Sequence, residues 1–157
     1  MKSFARSMYF DFLDSVRDNK VICFTNGCFD LLHYGHISLF AHCKQMADIV
    51  IVGLNSDESV KKIKGKSRPI IGQYYRSKVL ESIRYIDQVL IFDEETPINL
   101  IREVKPHILV KGGDYIEREV VGGDFVKKNG GKVSIYPFMQ DLSTTKIVDQ
   151  ILLMNLE

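Results

Sequence analysis

Five short runs along the chain are apolar on consecutive rather than alternate positions: 21–25 (VICFT), 48–54 (DIVIVGL), 88–92 (QVLIF), 107–112 (HILVKG) and 132–137 (KVSIYP). Val and Ile dominate them, which suits strands buried on both faces of a parallel sheet covered by helices. Between the runs, apolar positions recur with helical period near 35–46, 73–85, 97–105, 118–129 and 144–155. In the last of these, Ile147, Val148, Ile151 and Leu152 make one apolar stripe. Thr96-Pro97 marks a helix start with proline at the first helical position, and Gly130-Gly131 marks a stop. The stretch 61–69 (KKIKGKSRP) reads as the one long polar connection. Residues 1–20 mix Asp11, Asp14 and Asp18 with apolar side chains and read as an amphipathic lead-in helix, not as a signal peptide. Strand–helix alternation of this kind predicts right-handed βαβ units in an α/β fold, a doubly wound five-stranded parallel sheet forming a single domain over 1–157.

Open sheets of this class bind ligands beyond the carboxyl ends of their strands. The rule selects residues 25–36, 55–69, 111–115 and 137–146, and the unusual residue types of the chain collect there. The first segment opens the stretch TNGCFDLLHYGHISLF, residues 25–40. Gly27 lets the backbone turn tightly and approach a ligand. Gly35 falls at the mouth of the following helix, where free N–H groups and the helix dipole favour an anion. His33 and His36 flank that mouth. Spacing alone leaves three readings open: plain capping and packing, phosphate chemistry, and a metal pair. Zinc is the weakest, because helical zinc pairs follow HExxH spacing with a third ligand, and His42 and His107 carry no partner motif.

Composition narrows the classes. With 157 residues, 45% hydrophobic and 26% charged, the chain has the make-up of an ordinary globular protein with one sizeable core. A net charge of +1 argues against a general nucleic-acid binder but leaves room for a local phosphate site. No apolar run approaches the roughly 18 residues of a membrane span. Cys23, Cys28 and Cys43 are odd in number and form no CxxC, so a reduced, cytoplasmic protein is expected, with Cys23 a small buried hydrophobe.

The segment GCFDLLHYGH resembles the HxGH signature of the nucleotidyltransferase superfamily, in its cytidylyltransferase-like branch. STTKI, residues 143–147, resembles the second signature of that superfamily, the Ser/Thr-rich start of the last helix. The segments VGLNSDESVKKIKGKSRPI, IFDEETP, KPHILVKGGDY and VVGG followed by NGGKV are similar to the adenylyltransferases that act on D-glycero-D-manno-heptose 1-phosphate. The resemblance runs from about Val21 to Ile151, and since no sugar-kinase half is seen it is to the stand-alone form. A glycerol-3-phosphate or ethanolamine-phosphate cytidylyltransferase using CTP is the alternative within the superfamily. Outside it stand a non-catalytic nucleotide-binding module on the same fold and, less favoured still, a redox Rossmann protein, for which no GxGxxG follows the first strand.

The resemblance implies a Rossmann-like nucleotidyltransferase fold and a direct transfer, in which a sugar 1-phosphate attacks the α-phosphorus of ATP and pyrophosphate leaves. It makes His33, His36 and Lys64 the catalytic group, with both imidazoles on the nucleotide phosphates. It assigns Thr25, Asn26, Gly27, Phe29, Gly35, Lys111, Gly112, Gly113 and Asp114 to the nucleotide pocket, with Ser143, Thr144 and Thr145 cradling the β- and γ-phosphates. It assigns Asp30, Lys61 and Arg76 to the second substrate. Mg²⁺ is expected, held mainly by phosphate oxygens and water, with no dedicated protein metal site. The expected partners are small molecules, with neither nucleic acid nor membrane, and a homodimer is implied by the habit of relatives. One departure stands out: the run before the last helix is MQDLSTT, with Leu142 before Ser143 and no arginine, where heptose enzymes often read EGRSTT.

Overall fold

Alternation along the central strands sets the layering. In β1 (Ile22–Gly27), Ile22 and Phe24 enter one core layer while Cys23 enters the layer on the opposite face. In β2 (Ile49–Asn55), Ile51 joins the first layer, and Val50, Val52 and Leu54 lie on the other side. Both faces are therefore apolar, and each needs a helical cover. The computed structural model describes residues 6–113, 116–137 and 143–154.

With β3 (Gln88–Phe92), β4 (Ile108–Gly112) and β5 (Lys132–Tyr136), these strands form one all-parallel sheet in the order β3-β2-β1-β4-β5. The chain runs outward from β1 to β3, then crosses back over β1 to lay down β4 and β5. The order reverses between β1 and β4, which makes that junction the topological switch point. The register there is short. β1 pairs with β2 from Ile22↔Ile49 to Gly27↔Leu54, whereas β1 pairs with β4 only at Cys23↔Ile108 and Phe24↔Leu109. Beyond those two pairs the strands part, and the sheet forks at its carboxyl edge.

One face is covered by α1 (Arg6–Val16), which buries Tyr9 and Leu13, by α5 (Ile98–Val104) and by α6 (Gly123–Lys128). The other is covered by α2 (Tyr34–Met46), which buries Leu39, Phe40 and Cys43, and by α4 (Gln73–Glu81), which buries Leu80. Each such buried aliphatic or aromatic side chain contributes roughly 1.5–3 kcal/mol from area removed from water.

Three elements differ from the pattern-based expectation. The polar connection is half helix: α3 spans Asp57–Lys64. Ser56 caps it by accepting the Ser59 N–H at 3.2 Å, Asp57 and Glu58 occupy its first turn, three lysines its last, and Gly65 at φ 96° ends it. Those are ordinary start and stop signals, hidden because the helix is too polar to show an apolar stripe. The helix expected at 73–85 ends at Glu81, where Ser82 and Ile83 turn back on Val79 and Leu80. The helix expected at 118–129 is a 3₁₀ turn at Glu117–Glu119 followed by α6. Gly122 lies between them at φ 85°, and a Cβ on it would stand 2.6 Å from Ile101 Cδ1, so the close approach to α5 breaks the helix. The last helix, α7 (Thr144–Met154), buries none of its residues, so its apolar stripe is not consumed by the core of this chain.

Candidate active site

The fork opens into a cleft of about 710 Å³, within the range of small-molecule sites. Its floor is the β1 loop, including Asn26, Gly27 and Phe29. One side takes Lys111, Gly112 and Gly113 from the end of β4 and Ser143, Thr144 and Thr145 from the start of α7. The other takes Lys64 from α3 and Arg68 from the loop that follows it. Lys111 Nζ donates to Asn26 Oδ1 at 3.4 Å, a contact that spans the fork.

His33 and His36 form the first turn of α2. His33 is the N-cap residue with extended backbone (φ −140°), and its carbonyl accepts from the N–H of His36 at 3.0 Å. Its own N–H donates to His36 Nδ1 at 3.3 Å. The two rings lie 3.9 Å apart between centroids at 30°. Gly35 permits this, because a Cβ there would stand 3.1 Å from His33 Cε1 and Nδ1. His33 Nδ1 is buried without a hydrogen-bond partner among the described residues.

Phe29 supports the pair from below. Its ring meets His36 edge-on at 5.3 Å and 76°, and meets Phe40 at 5.2 Å. To put the ring there the residue adopts a left-handed backbone, φ 45°, at a cost of order 1 kcal/mol or more for a non-glycine residue. Burial, then the neighbouring His33, push the His36 pKa down to about 4, and burial lowers that of His33. Both imidazoles are thus neutral near pH 7. With Nδ1 of His36 accepting, its proton sits on Nε2, which makes it a hydrogen-bond donor without a standing charge. Such donors suit oxygens on which charge redistributes during a reaction.

Burial lowers the Lys111 pKa, Cys28 opposes that shift, and Lys64 adds to it. The Cys28 thiol is pushed up by burial, with Lys64, Arg76 and Lys111 pulling the other way, so it remains a thiol and not a thiolate nucleophile. Ser143 Oγ accepts the N–H of Lys146 at 3.2 Å, capping α7. Thr144 Oγ1 donates to Leu31 O at 3.2 Å, which ties α7 to the β1 loop. Among the described residues no three His, Cys, Asp or Glu side chains converge as a metal cage.

Three residues stand outside the cleft, and a fourth lines it with its carboxylate already engaged. Thr25 is fully buried in β1 beneath the cleft and does not line it. Lys61 points away, paired with Glu58 at 2.7 Å. Arg76 is 2% exposed and holds loops together: it donates to the carbonyls of Ile71, Cys28 and Asn55 and pairs with Asp57 at 2.7 Å. All three guanidinium nitrogens are engaged by the protein itself. Asp30 lines the cleft, but its carboxylate accepts the N–H groups of Ile70 and Ile71 at 2.9 Å and pairs with Arg68 Nε at 3.3 Å. Asp114 and the run 139–142 lie outside the described residues.

Conversely, Cys28, Arg68, Glu95, Thr96, Glu119 and Tyr136 line the cleft, although the sequence assigns none of them to the site. Glu95 and Thr96 follow β3, so applying the strand-end rule to that strand as well would have found them.

A family model described as cytidylyltransferase-like matches residues 24–150. The chain is 50% identical over 133 residues to "Bifunctional protein HldE" of Geobacter metallireducens, covering 85% of this chain and 27% of that protein. It is 48% identical over 135 residues to the protein of the same name from Campylobacter fetus, covering 86% and 29%. The chain therefore spans little more than a quarter of the length of these curated relatives. Among solved structures, the lipopolysaccharide core biosynthesis protein of Thermoplasma volcanium superposes with a TM-score of 0.63 at 27% identity, covering 76% of this chain and 97% of that one. The pantoate-beta-alanine ligase of Francisella tularensis shares the fold, with a TM-score of 0.56 at 18% identity over 88% of this chain and 73% of that one.

Proposed function

The chain belongs to the cytidylyltransferase-like family, and on that footing we propose that it is an adenylyltransferase that moves AMP from ATP to D-glycero-D-manno-heptose 1-phosphate. The products are ADP-heptose and pyrophosphate, and the activated sugar serves surface polysaccharide assembly. The observation that carries the reading is the neutral imidazole pair at the mouth of α2, opening on a forked switch point lined by Lys64, Arg68 and Lys111. The HldE relatives and the lipopolysaccharide core biosynthesis protein support the choice of sugar.

A phosphate oxygen of the sugar forms the new bond to the α-phosphorus. The bridge to the β-phosphate breaks, and its electron pair leaves on pyrophosphate. No covalent enzyme intermediate is involved, so the protein works by positioning and charge stabilisation. His36 donates through Nε2–H to the reacting phosphate, and His33 lies against it. The start of α7 offers Ser143, Thr144 and Thr145 to the outer phosphates. Mg²⁺ would neutralise charge on the triphosphate, held by phosphate oxygens and water rather than by a cage of side chains, a coordination magnesium favours. Free thiols at Cys23, Cys28 and Cys43 accord with a reduced cytoplasmic setting. The reading includes a homodimer, which sedimentation velocity checks.

The test is a pyrophosphate-release screen of four nucleoside triphosphates against sugar and polyol phosphates with Mg²⁺. ATP with the heptose 1-phosphate is the expected pair. Turnover of CTP with glycerol 3-phosphate or ethanolamine phosphate, and none of the expected pair, overturns the reading.

A further inference from the structure

Asp30 and Arg68 present an arrangement that the nucleotide site alone does not explain. The Asp30 side chain is 3% exposed, yet it is a carboxylate at the edge of a cleft suited to phosphates. Its oxygens accept two consecutive main-chain N–H groups, those of Ile70 and Ile71, at 2.9 Å. The loop after α3 is thereby strapped to the β1 loop. The same carboxylate pairs with Arg68 through Nε at 3.3 Å. Arg68 is 20% exposed, lines the cleft, and has no other side-chain partner among the described residues. The Nε side of the guanidinium faces a buried anion, and among the described residues its terminal nitrogens make no hydrogen bond.

A planar guanidinium held beside a buried carboxylate on its Nε side is a prepared receptor for a phosphate, which it can bind through two parallel N–H···O bonds. A lysine offers charge without that fork. Arg68 is the one guanidinium that lines the cleft among the described residues, since Arg76 is consumed by main-chain carbonyls. It also comes from the β2 side of the fork, whereas Lys111 and the start of α7 lie on the β4 side. In-line transfer requires the attacking phosphate to approach opposite the leaving pyrophosphate.

We infer that Arg68 receives the phosphate of the acceptor sugar, and that Asp30 is a positioning residue that orients Arg68 and does not itself touch substrate. This assignment rests on the adenylyltransferase reading for the identity of the acceptor. It does not rest on that reading for the anion site itself.

The experiment compares the whole chain with Arg68→Met, Arg68→Lys and Asp30→Asn, each checked for fold by circular dichroism. KM and kcat are measured for ATP and for heptose 1-phosphate, and binding of inorganic phosphate is measured by calorimetry. Arg68→Met is expected to raise the acceptor KM about 10- to 100-fold, as loss of a charge-assisted bidentate contact does, with the ATP KM within about 3-fold. Arg68→Lys is intermediate, and it carries the test if the methionine variant does not fold. Asp30→Asn moves the same KM in the same direction, and adding it to Arg68→Met costs little more, because the two act as one unit. A rise in the ATP KM with the acceptor KM unchanged overturns the assignment. An acceptor KM unmoved in a folded Asp30→Asn variant overturns the positioning role. Should wild type turn over no heptose phosphate, the functional reading fails; the anion site then stands or falls on whether the Arg68 variants weaken inorganic phosphate binding by about 10-fold or leave it unchanged.

Discussion

His33 holds His36 by its own main chain: the N–H of the first donates to Nδ1 of the second at 3.3 Å, and the rings stack 3.9 Å apart. The helix start and the chemical group are thus one structure. Replacing His36 with Ala is expected to lower kcat about 10²- to 10³-fold, the loss usual for one donor to a developing charge. ATP binding by calorimetry changes far less. A variant that retains turnover within 3-fold or so would remove His36 from the chemistry.

The depressed pKa of His36 carries a stability consequence. In the folded protein the imidazole stays neutral down to about pH 4, against an ordinary value of 6.5. Above pH 6.5 neither the folded nor the unfolded chain protonates it, so it contributes no pH dependence there. As pH falls from 6.5 towards 4, the unfolded chain takes up the proton first and is favoured, by about 3 kcal/mol at most. Urea unfolding across that window should show a steeper acid loss for wild type than for His36→Gln. Parallel curves for the two proteins would contradict the shift.

Gly35 separates activity from stability. Alanine at this helical position should stabilise the backbone by up to about 1 kcal/mol. Its Cβ would press on the His33 ring at 3.1 Å and displace it. The expected variant is as stable as wild type or more so, with kcat reduced about 10-fold or more. Melting temperature and kcat measured on the same preparation decide it.

Arg76→Met should be a folding mutation rather than a binding one. It strands three carbonyls and the Asp57 carboxylate that the guanidinium now serves. The expected loss is about 3 kcal/mol or more, as for breaking a buried pair, read from the urea midpoint. A normal midpoint with a raised acceptor KM would restore Arg76 to the substrate site.

The strands were legible because burial on both faces leaves a mark that one sequence carries: consecutive Val and Ile. The strand-end rule then located the β1 loop and the His pair. α3 was not legible by periodicity, since its length is written in caps and charges. Arg76 and Asp30 differ in their surroundings from what the sequence suggests for one shared reason. Sequence shows that a charged residue lies near a ligand-binding edge, but not whether main-chain groups have already claimed it. Arg76 faces three carbonyls and Asp30 two N–H groups, and those partners depend on loop paths that no local pattern encodes. Arg68 lies in the same basic run, and only the fold distinguishes it from Lys61, three residues before Lys64 on a turn that faces away.

β1 and β4 share only two register pairs, yet β1 continues to Gly27 and β4 to Gly112. Above that short seam the sheet is two leaves, β3-β2-β1 and β4-β5, joined at their feet like a hinged book. Each leaf carries part of the phosphate-binding wall, and the Lys111–Asn26 contact is one stitch between them. A ligand lying across the gutter adds further stitches, so occupancy and stiffness rise together. The amides of Asn26 and Lys111 should therefore exchange more slowly with nucleotide bound, while those at the seam itself, Phe24 and Leu109, stay protected throughout.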